Sequence, residues 1–195
     1  MQVVYIHGLN SSHRSFNYVQ SKLPTHEIVP INYNSHQPLR DSMDEVRKKL
    51  PKTGRFTLVG HSLGGVLAVL MAAEHVDRVD TVVSISAPFG GSKAATALRW
   101  LPGHPRVLDD ITPTAGKIEL ISQLRLATPT LCIISTGGNL PSTSEPNDSI
   151  VTVVSQRALP FGKKLEVKAN HFEVLLHEKT VQLMESFLFQ HEEGA

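Results

Sequence analysis

Six short apolar runs, separated by stretches of helical periodicity, limit what this chain can become. The runs are Val3 to His7, Glu27 to Asn32, Phe56 to Gly60, Thr81 to Ser86, Pro129 to Ser135 and Leu165 to Ala169. Most are nearly unbroken by polar residues, the pattern of strands covered on both faces. Behind Pro38, the residues Leu39, Met43, Val46 and Leu50 share one helix face. Ser62 to His75 is apolar over a wide arc and predicts a well-buried helix. A last helix, from Glu173 to Gln190, would turn Leu176, Leu183, Met184, Phe187 and Leu188 inward. This alternation predicts an α/β fold: a parallel core of about six strands with helices on both faces. Ligands of such sheets gather beyond the carboxyl ends of the strands. Functional residues are therefore expected in the loops that follow strands.

A chain of 195 residues suits a single domain, 1–195, with one hydrophobic core. Two stretches interrupt the pattern. Leu101 to Pro113 carries Pro102, Gly103 and Pro105, and Thr136 to Asn147 carries Gly137, Gly138, Pro141 and Pro146, so both read as loops. A small cap or an irregular insert is expected within 100–128, and His191 to Ala195 reads as a frayed tail. The 19 basic and 18 acidic side chains leave a formal charge of +1, which offers nucleic acid no basic face. Cys132 is the single cysteine, so an internal disulfide is excluded, and its apolar surroundings predict a buried strand residue. Met1 to Ile6 lacks the basic start and long apolar stretch of a signal peptide. No run approaches the roughly 20 apolar residues of a transmembrane helix. A soluble, cytoplasmic protein is the expectation.

One stretch carries chemistry. Gly60-His61-Ser62-Leu63-Gly64-Gly65 follows the apolar run Phe56 to Val59 and opens an apolar helix. A G-x-S-x-G pattern between strand and helix forces the serine into a sharp turn and holds its hydroxyl out at the sheet edge. Side chains at Gly60 and Gly64 would clash with the turn. The helix N-terminus below favours negative charge. Without that context, Ser62 would read as an ordinary N-cap. If Ser62 attacks a carbonyl, the oxyanion needs donors. The candidates are the N–H of Leu63 and an N–H from the loop His7-Gly8-Leu9-Asn10, with Leu9 ahead of Asn10.

A serine hydroxyl needs a base to take its proton. The expected order along such a chain is serine, acid, histidine. His171 follows the last apolar run, in Asn170-His171-Phe172, and fits the base; His177, six residues on, reads as a solvated helix residue. The acid should follow the run that ends at Ser135. Asp148, in Pro146-Asn147-Asp148-Ser149-Ile150-Val151, is the first candidate, although an aspartate there also suits a turn cap. Glu145 is the fallback, and Glu119 precedes the run. Other chemistries lack their signatures. There is no H-E-x-x-H, no cysteine pair for zinc, no G-x-G-x-x-G and no G-x-x-x-x-G-K-[ST].

These pieces together resemble the α/β-hydrolase superfamily, in particular its small lidless bacterial triacylglycerol lipases and related serine esterases. The matching segments are Val3 to Gly8, Gly60 to Gly65, Asn147 to Val151 and Asn170 to Phe172. Ser86-Ala87-Pro88-Phe89-Gly90-Gly91-Ser92 is also similar to a Pro-x-x-Gly-Ser segment of such lipases. The resemblance implies a six-stranded parallel core, no cofactor, no metal, and hydrolysis of a small-molecule or lipid carboxylic ester through an acyl-enzyme. Its site residues would be Ser62, Asp148 and His171, with Leu9 and Leu63 forming the oxyanion hole. Phe89, Leu140 and Phe172 are expected against the acyl group. Secreted lipases carry an export signal, and without one at Met1 to Ile6 an extracellular, digestive role is not expected. A thioesterase or acyltransferase would use the same residues, and a non-catalytic binding module is the remaining alternative.

Overall fold

The strand Gln2–Ile6, β1, shows how the apolar pattern becomes layers. Val4 and Ile6 enter one apolar cluster and Val3 and Tyr5 enter another, on opposite faces. The computed structural model describes residues 1–23, 26–140 and 143–192. A 3-10 turn at His13–Phe16 leads into α1 (Asn17–Lys22), then β2 (Glu27–Ile31) and α2 (Leu39–Lys49). Next come β3 (Phe56–His61), α3 (Leu63–Glu74) and β4 (Val79–Ile85). Three helices follow: α4 (Lys93–Leu98), α5 (Val107–Asp110) and α6 (Gly116–Gln123). The chain ends with β5 (Thr130–Ser135), α7 (Val153–Gln156), β6 (Lys163–Val167), a 3-10 turn at Glu173–Leu176 and α8 (Glu178–Glu192).

The six strands form one sheet in the order β2-β1-β3-β4-β5-β6, and every neighbouring pair is parallel. From β1 the chain steps outward to β2, then returns to place β3 on the other side of β1. The order reverses between β1 and β3, and a crevice opens at such a switch point. The edge strand β2 carries Pro30, whose missing N–H an edge tolerates.

One face of the sheet is covered by α2, α3, α5 and α6, through residues such as Leu39, Val46, Leu67, Val107 and Ile121. The other is covered by α1 and α8, through Val19, Val181, Met184, Phe187 and Leu188. Each of these larger side chains contributes roughly 1.5–3 kcal/mol when fully buried. The helix α3, apolar almost all round, packs on β3 and β4. Cys132 lies in the strand core, and burial pushes its thiol up to about 11.

Several expectations need correction. The last strand lies two residues earlier than expected, at Lys163–Val167. Its ladder with β5 ends at Ser135 and Val167, and the Ala169 N–H turns back onto the Val167 carbonyl. The final helix is split at His177, which is extended (φ −91°, ψ 127°) and only partly exposed. The break shifts the helical phase, so Leu176 points outward at 61% exposure instead of inward. The expected tail begins too early: α8 includes His191 and Glu192, and Glu193 to Ala195 lie outside the described residues. In the loop after β5, Pro141 also lies outside them. The segment 100–128 carries α5 and α6 behind an irregular lead-in, and Ile118 and Ile121 anchor α6 in the core. Among the described residues, no helix is long and apolar enough to cross a membrane.

Candidate functional site

The non-glycine residues with left-handed backbone angles mark one end of the sheet. They are Asn10 after β1, Ser62 after β3, Ser86 after β4 and Ser149 in the β5–α7 loop, with φ of 54°, 55°, 53° and 83°. Such conformations cost of order 1–3 kcal/mol each, and they persist only where the surroundings fix them. All four lie in loops that follow strands.

Ser62 caps α3 with φ 55° and ψ −123°. Its N–H donates to the Ile85 carbonyl at 2.8 Å, tying the turn to β4. The flanking glycines are required by contact. A Cβ on Gly60 would lie 2.1 Å from the Gly64 carbonyl oxygen, and one on Gly64 would lie 2.0 Å from the Ile6 carbonyl oxygen. The turn therefore closes directly on β1, beside the Gly8–Asn10 loop.

Three distant segments meet at the Ser62 hydroxyl. His171 Nε2 lies 2.9 Å from Ser62 Oγ, and His171 Nδ1 lies 2.7 Å from Asp148 Oδ2. The ionised carboxylate only accepts, so Nδ1 carries the proton and Nε2 accepts from the serine. The His171 N–H also donates to the Asp148 carbonyl at 2.8 Å. Both side chains are buried. Burial alone would raise the Asp148 carboxyl. The hydrogen bond and charge of His171 outweigh it, with help from the Ser135 hydroxyl and the Val151 N–H, and hold Asp148 below the usual carboxylate range.

Asp148 is held at every lone pair. Oδ1 accepts from the N–H groups of Ile150 and Val151 at 3.0 and 2.7 Å. Oδ2 accepts from Ser135 Oγ at 2.6 Å and from Gln156 Nε2 at 3.2 Å, besides His171. Glu145 instead pairs with Lys93 at 2.8 Å near the surface, and Glu119 is exposed on α6. Neither reaches the imidazole.

His61, the residue before the serine, is buried, and its Nε2 lies 2.8 Å from the His171 carbonyl oxygen. Burial pushes its pKa down to about 3; the neighbouring His171 lowers it further, while the bond to that carbonyl and the Asp148 charge oppose the shift. A neutral ring can donate from Nε2 to the carbonyl.

The loop after β1 is braced by the segment after β2. Tyr33 Oη donates to the His7 carbonyl at 2.9 Å, and its ring stacks on His7. The Asn10 N–H donates to Ser35 Oγ at 3.2 Å, and the Asn10 side chain bonds to His36 Nε2. The Asn10 N–H is thus already engaged. The Leu63 N–H, at the first position of α3, has no intrahelical acceptor.

A cavity of about 470 Å³ opens over Ser62. Leu9, Leu98, Leu108, Ile111, Ile150, Val151, Phe172 and Leu175 supply much of its wall. None of the described residues lining it is Asp, Glu, Lys or Arg. Phe172 lines the cavity, exposed and with its ring perpendicular to that of His171. Phe89, expected against the acyl group, does not line it: only 1% exposed, it joins the core cluster on one face of the sheet, and Pro88 takes the wall position. Burying an aromatic ring is worth more there than at the rim. Leu140 also lies outside the cavity wall, half-buried in the loop after β5. Among the described residues, no group of three His, Cys, Asp or Glu side chains could hold a metal ion.

Sequence reasoning missed the supporting residues Ser86, Ser135, Gln156, His61 and Tyr33. Ser86 and Ser135 had a legible signal, since each is a polar residue closing an apolar strand run. Gln156 and the wall residues Leu98, Leu108 and Ile111 had none, because only tertiary folding brings them near.

No curated protein matches the chain. Solved structures resemble it at low identity. One of the metagenome-derived lipolytic enzymes LipS and LipT is 16% identical, with 97% of this chain and 94% of that one covered and a TM-score of 0.71. The metagenomic carboxyl esterase MGS0156 is 18% identical, with 100% and 76% covered and a TM-score of 0.73. The lipase BlEst2 of Bacillus licheniformis, in mature form, is 17% identical, with 97% and 91% covered and a TM-score of 0.70. At such identities the likeness carries the fold. The sequence pattern of the alpha/beta hydrolase fold family matches residues 3–117, more than half of the chain. With its parallel six-stranded sheet, the chain belongs to the α/β-hydrolase fold family.

Proposed function

We propose that the protein is a serine hydrolase that cleaves carboxylic esters through an acyl-enzyme. The observation that carries this reading is the unbroken line from Ser62 Oγ through His171 to Asp148, at 2.9 and 2.7 Å. In it, Ser62 attacks the acyl carbon while His171 Nε2 accepts its proton. Asp148 holds the imidazole in the required tautomer and stabilises the imidazolium. The N–H groups of Leu63 and Leu9 receive the oxyanion. His171 then protonates the departing alcohol, and a water molecule repeats the sequence to release the acid. The backbone angles of Ser62 support its role at a strained nucleophile elbow. A cavity without charged lining favours uncharged esters with an apolar acyl group. The lipolytic enzymes, carboxyl esterase and lipase among the similar structures are consistent with that class.

The test is Ser62→Ala. Wild-type protein should gain the mass of one fluorophosphonate adduct and turn over p-nitrophenyl esters. The variant should lose the adduct and about 10⁴-fold or more of the rate. Retained activity in a folded Ser62→Ala protein would sink the assignment.

A further inference from the structure

Behind Asp148 lies a second chain of hydroxyls that the proposed reaction does not use. Ser135 Oγ is 2.6 Å from Asp148 Oδ2, on the same oxygen that accepts from His171 Nδ1. Ser86 Oγ is 2.6 Å from Ser135 Oγ. Both serines are fully buried, and they close the adjacent strands β4 and β5. Proton accounting fixes the direction of the chain. The carboxylate cannot donate, so the single Ser135 proton goes to Asp148 at 2.6 Å in preference to Gln156 Oε1 at 3.3 Å, and the Ser86 proton goes to Ser135. Each hydroxyl is polarised by the one behind it. Ser86 does this from a backbone with φ 53°, locked by its N–H bond to the Ile133 carbonyl at 2.9 Å. A buried serine held in a left-handed backbone calls for an explanation.

We infer that Ser86 and Ser135 are positioning residues that share the negative charge of Asp148 with His171 and so set the proton affinity of the base. The inference rests on the triad reading. With the Ser135 hydroxyl in place, part of the charge on Oδ2 is spent on its short bond of 2.6 Å, beside the Gln156 amide at 3.2 Å. Without it, Oδ2 keeps only His171 and the longer Gln156 contact at 3.2 Å, and it supports the imidazolium more strongly. The titratable groups facing His171 are Asp148 from the β5–α7 loop and His61 from the end of β3. Glu173, in the turn that follows, directs its carboxylate to the Asn170 N–H instead. His61 is held neutral by burial, so no other charge dominates the imidazole.

The experiment compares pH profiles of kcat/KM for wild type, Ser135→Ala and Ser86→Gly, with thermal melting of each. Glycine at 86 removes the hydroxyl and also relieves the left-handed backbone, so this variant keeps its fold if alanine at 135 does not. The acidic limb reports the base of the free enzyme. It should move to higher pH in both variants, by about half a unit or more for Ser135→Ala and less for Ser86→Gly. A proton NMR titration of His171 in the Ser62→Ala background gives the same reading without turnover, and its Nδ1 proton should move downfield when the competing donor is lost. A role confined to structure would lower the melting temperature and leave the limb and the resonance in place; that result, in folded variants, overturns the inference. Failure of the triad reading looks different, because Ser62→Ala would then retain activity.

Discussion

At the scale of single residues, the site stores conformations that the chain would otherwise avoid. Ser62 sits at φ 55°, ψ −123°, a region that glycine enters freely and other residues do not. Ser62→Gly should therefore be more stable than Ser62→Ala, by about 1 kcal/mol in urea denaturation, with both inactive. His61 stores a second cost, and its sign can be worked out. Burial holds its pKa at about 3, against an ordinary value of 6.5 in the unfolded chain. The folded protein refuses a proton that the unfolded chain accepts. The contribution of His61 to stability is thus complete above pH 6.5 and is lost as pH falls from 6.5 towards 3, at up to about 1.4 kcal/mol per pH unit. His7, also lowered by burial first, acts in the same direction. Asp148 enters at lower pH: its carboxyl is depressed below the ordinary 3.8, so its share is lost only as pH falls below that value. Denaturation at pH 7 and pH 5 should show a steeper loss for wild type than for His61→Gln. Equal slopes would place the proton uptake elsewhere.

At the scale of elements, the tightest junction is between β1 and the start of α3. A Cβ on Gly64 would meet the Ile6 carbonyl oxygen at 2.0 Å, and backbone on both sides cannot yield. Gly64→Ala should cost on the order of 3 kcal/mol in urea denaturation, a larger penalty than alanine at the solvent-facing Gly116, where a Cβ meets nothing. This junction was legible, because the glycine spacing and the flanking apolar runs are local features. So were the six strands, since β-branched residues on buried strands leave few alternatives. The order of Ser62, Asp148 and His171 was legible for the same reason: each follows a strand. What was not legible depends on phase or on contacts distant in sequence. Leu176 faces outward because an extended residue at 177 interrupts the helix, and nothing in the apolar spacing of 173–190 announces that break. Phe89 was expected at the rim because its segment resembles a lipase loop, but a loop aromatic has two faces to choose between. Here the core wins. Gln156 reaches Asp148 only because α7 folds back over the end of β5, where the Ser135 N–H donates to its side chain at 2.9 Å.

At the scale of the whole molecule, the reversal of strand order between β1 and β3 leaves an opening above the carboxyl ends of the sheet. The chain fills part of it with α4, α5 and the residue after α5: Ala94, Ala95, Leu98, Leu108 and Ile111 line the cavity over Ser62. If the proposed ester hydrolysis holds, the packing of this wall sets how much acyl chain can be buried. Each added methylene gains about 0.8 kcal/mol while it still finds apolar surface, and nothing once it protrudes. For a series of p-nitrophenyl esters, kcat/KM should rise roughly three- to fourfold per carbon and then level off when the cavity of about 470 Å³ is full. Ala94 is half-buried at this wall, so a larger side chain there takes space from the substrate without entering the core. Ala94→Phe should bring the plateau to a shorter chain and leave p-nitrophenyl acetate hydrolysis within about twofold of wild type. If the variant lowers acetate and long-chain turnover by the same factor, the wall does not contact the acyl group. The chain-length limit must then be set by other lining residues, such as Leu9, Phe172 and Leu175.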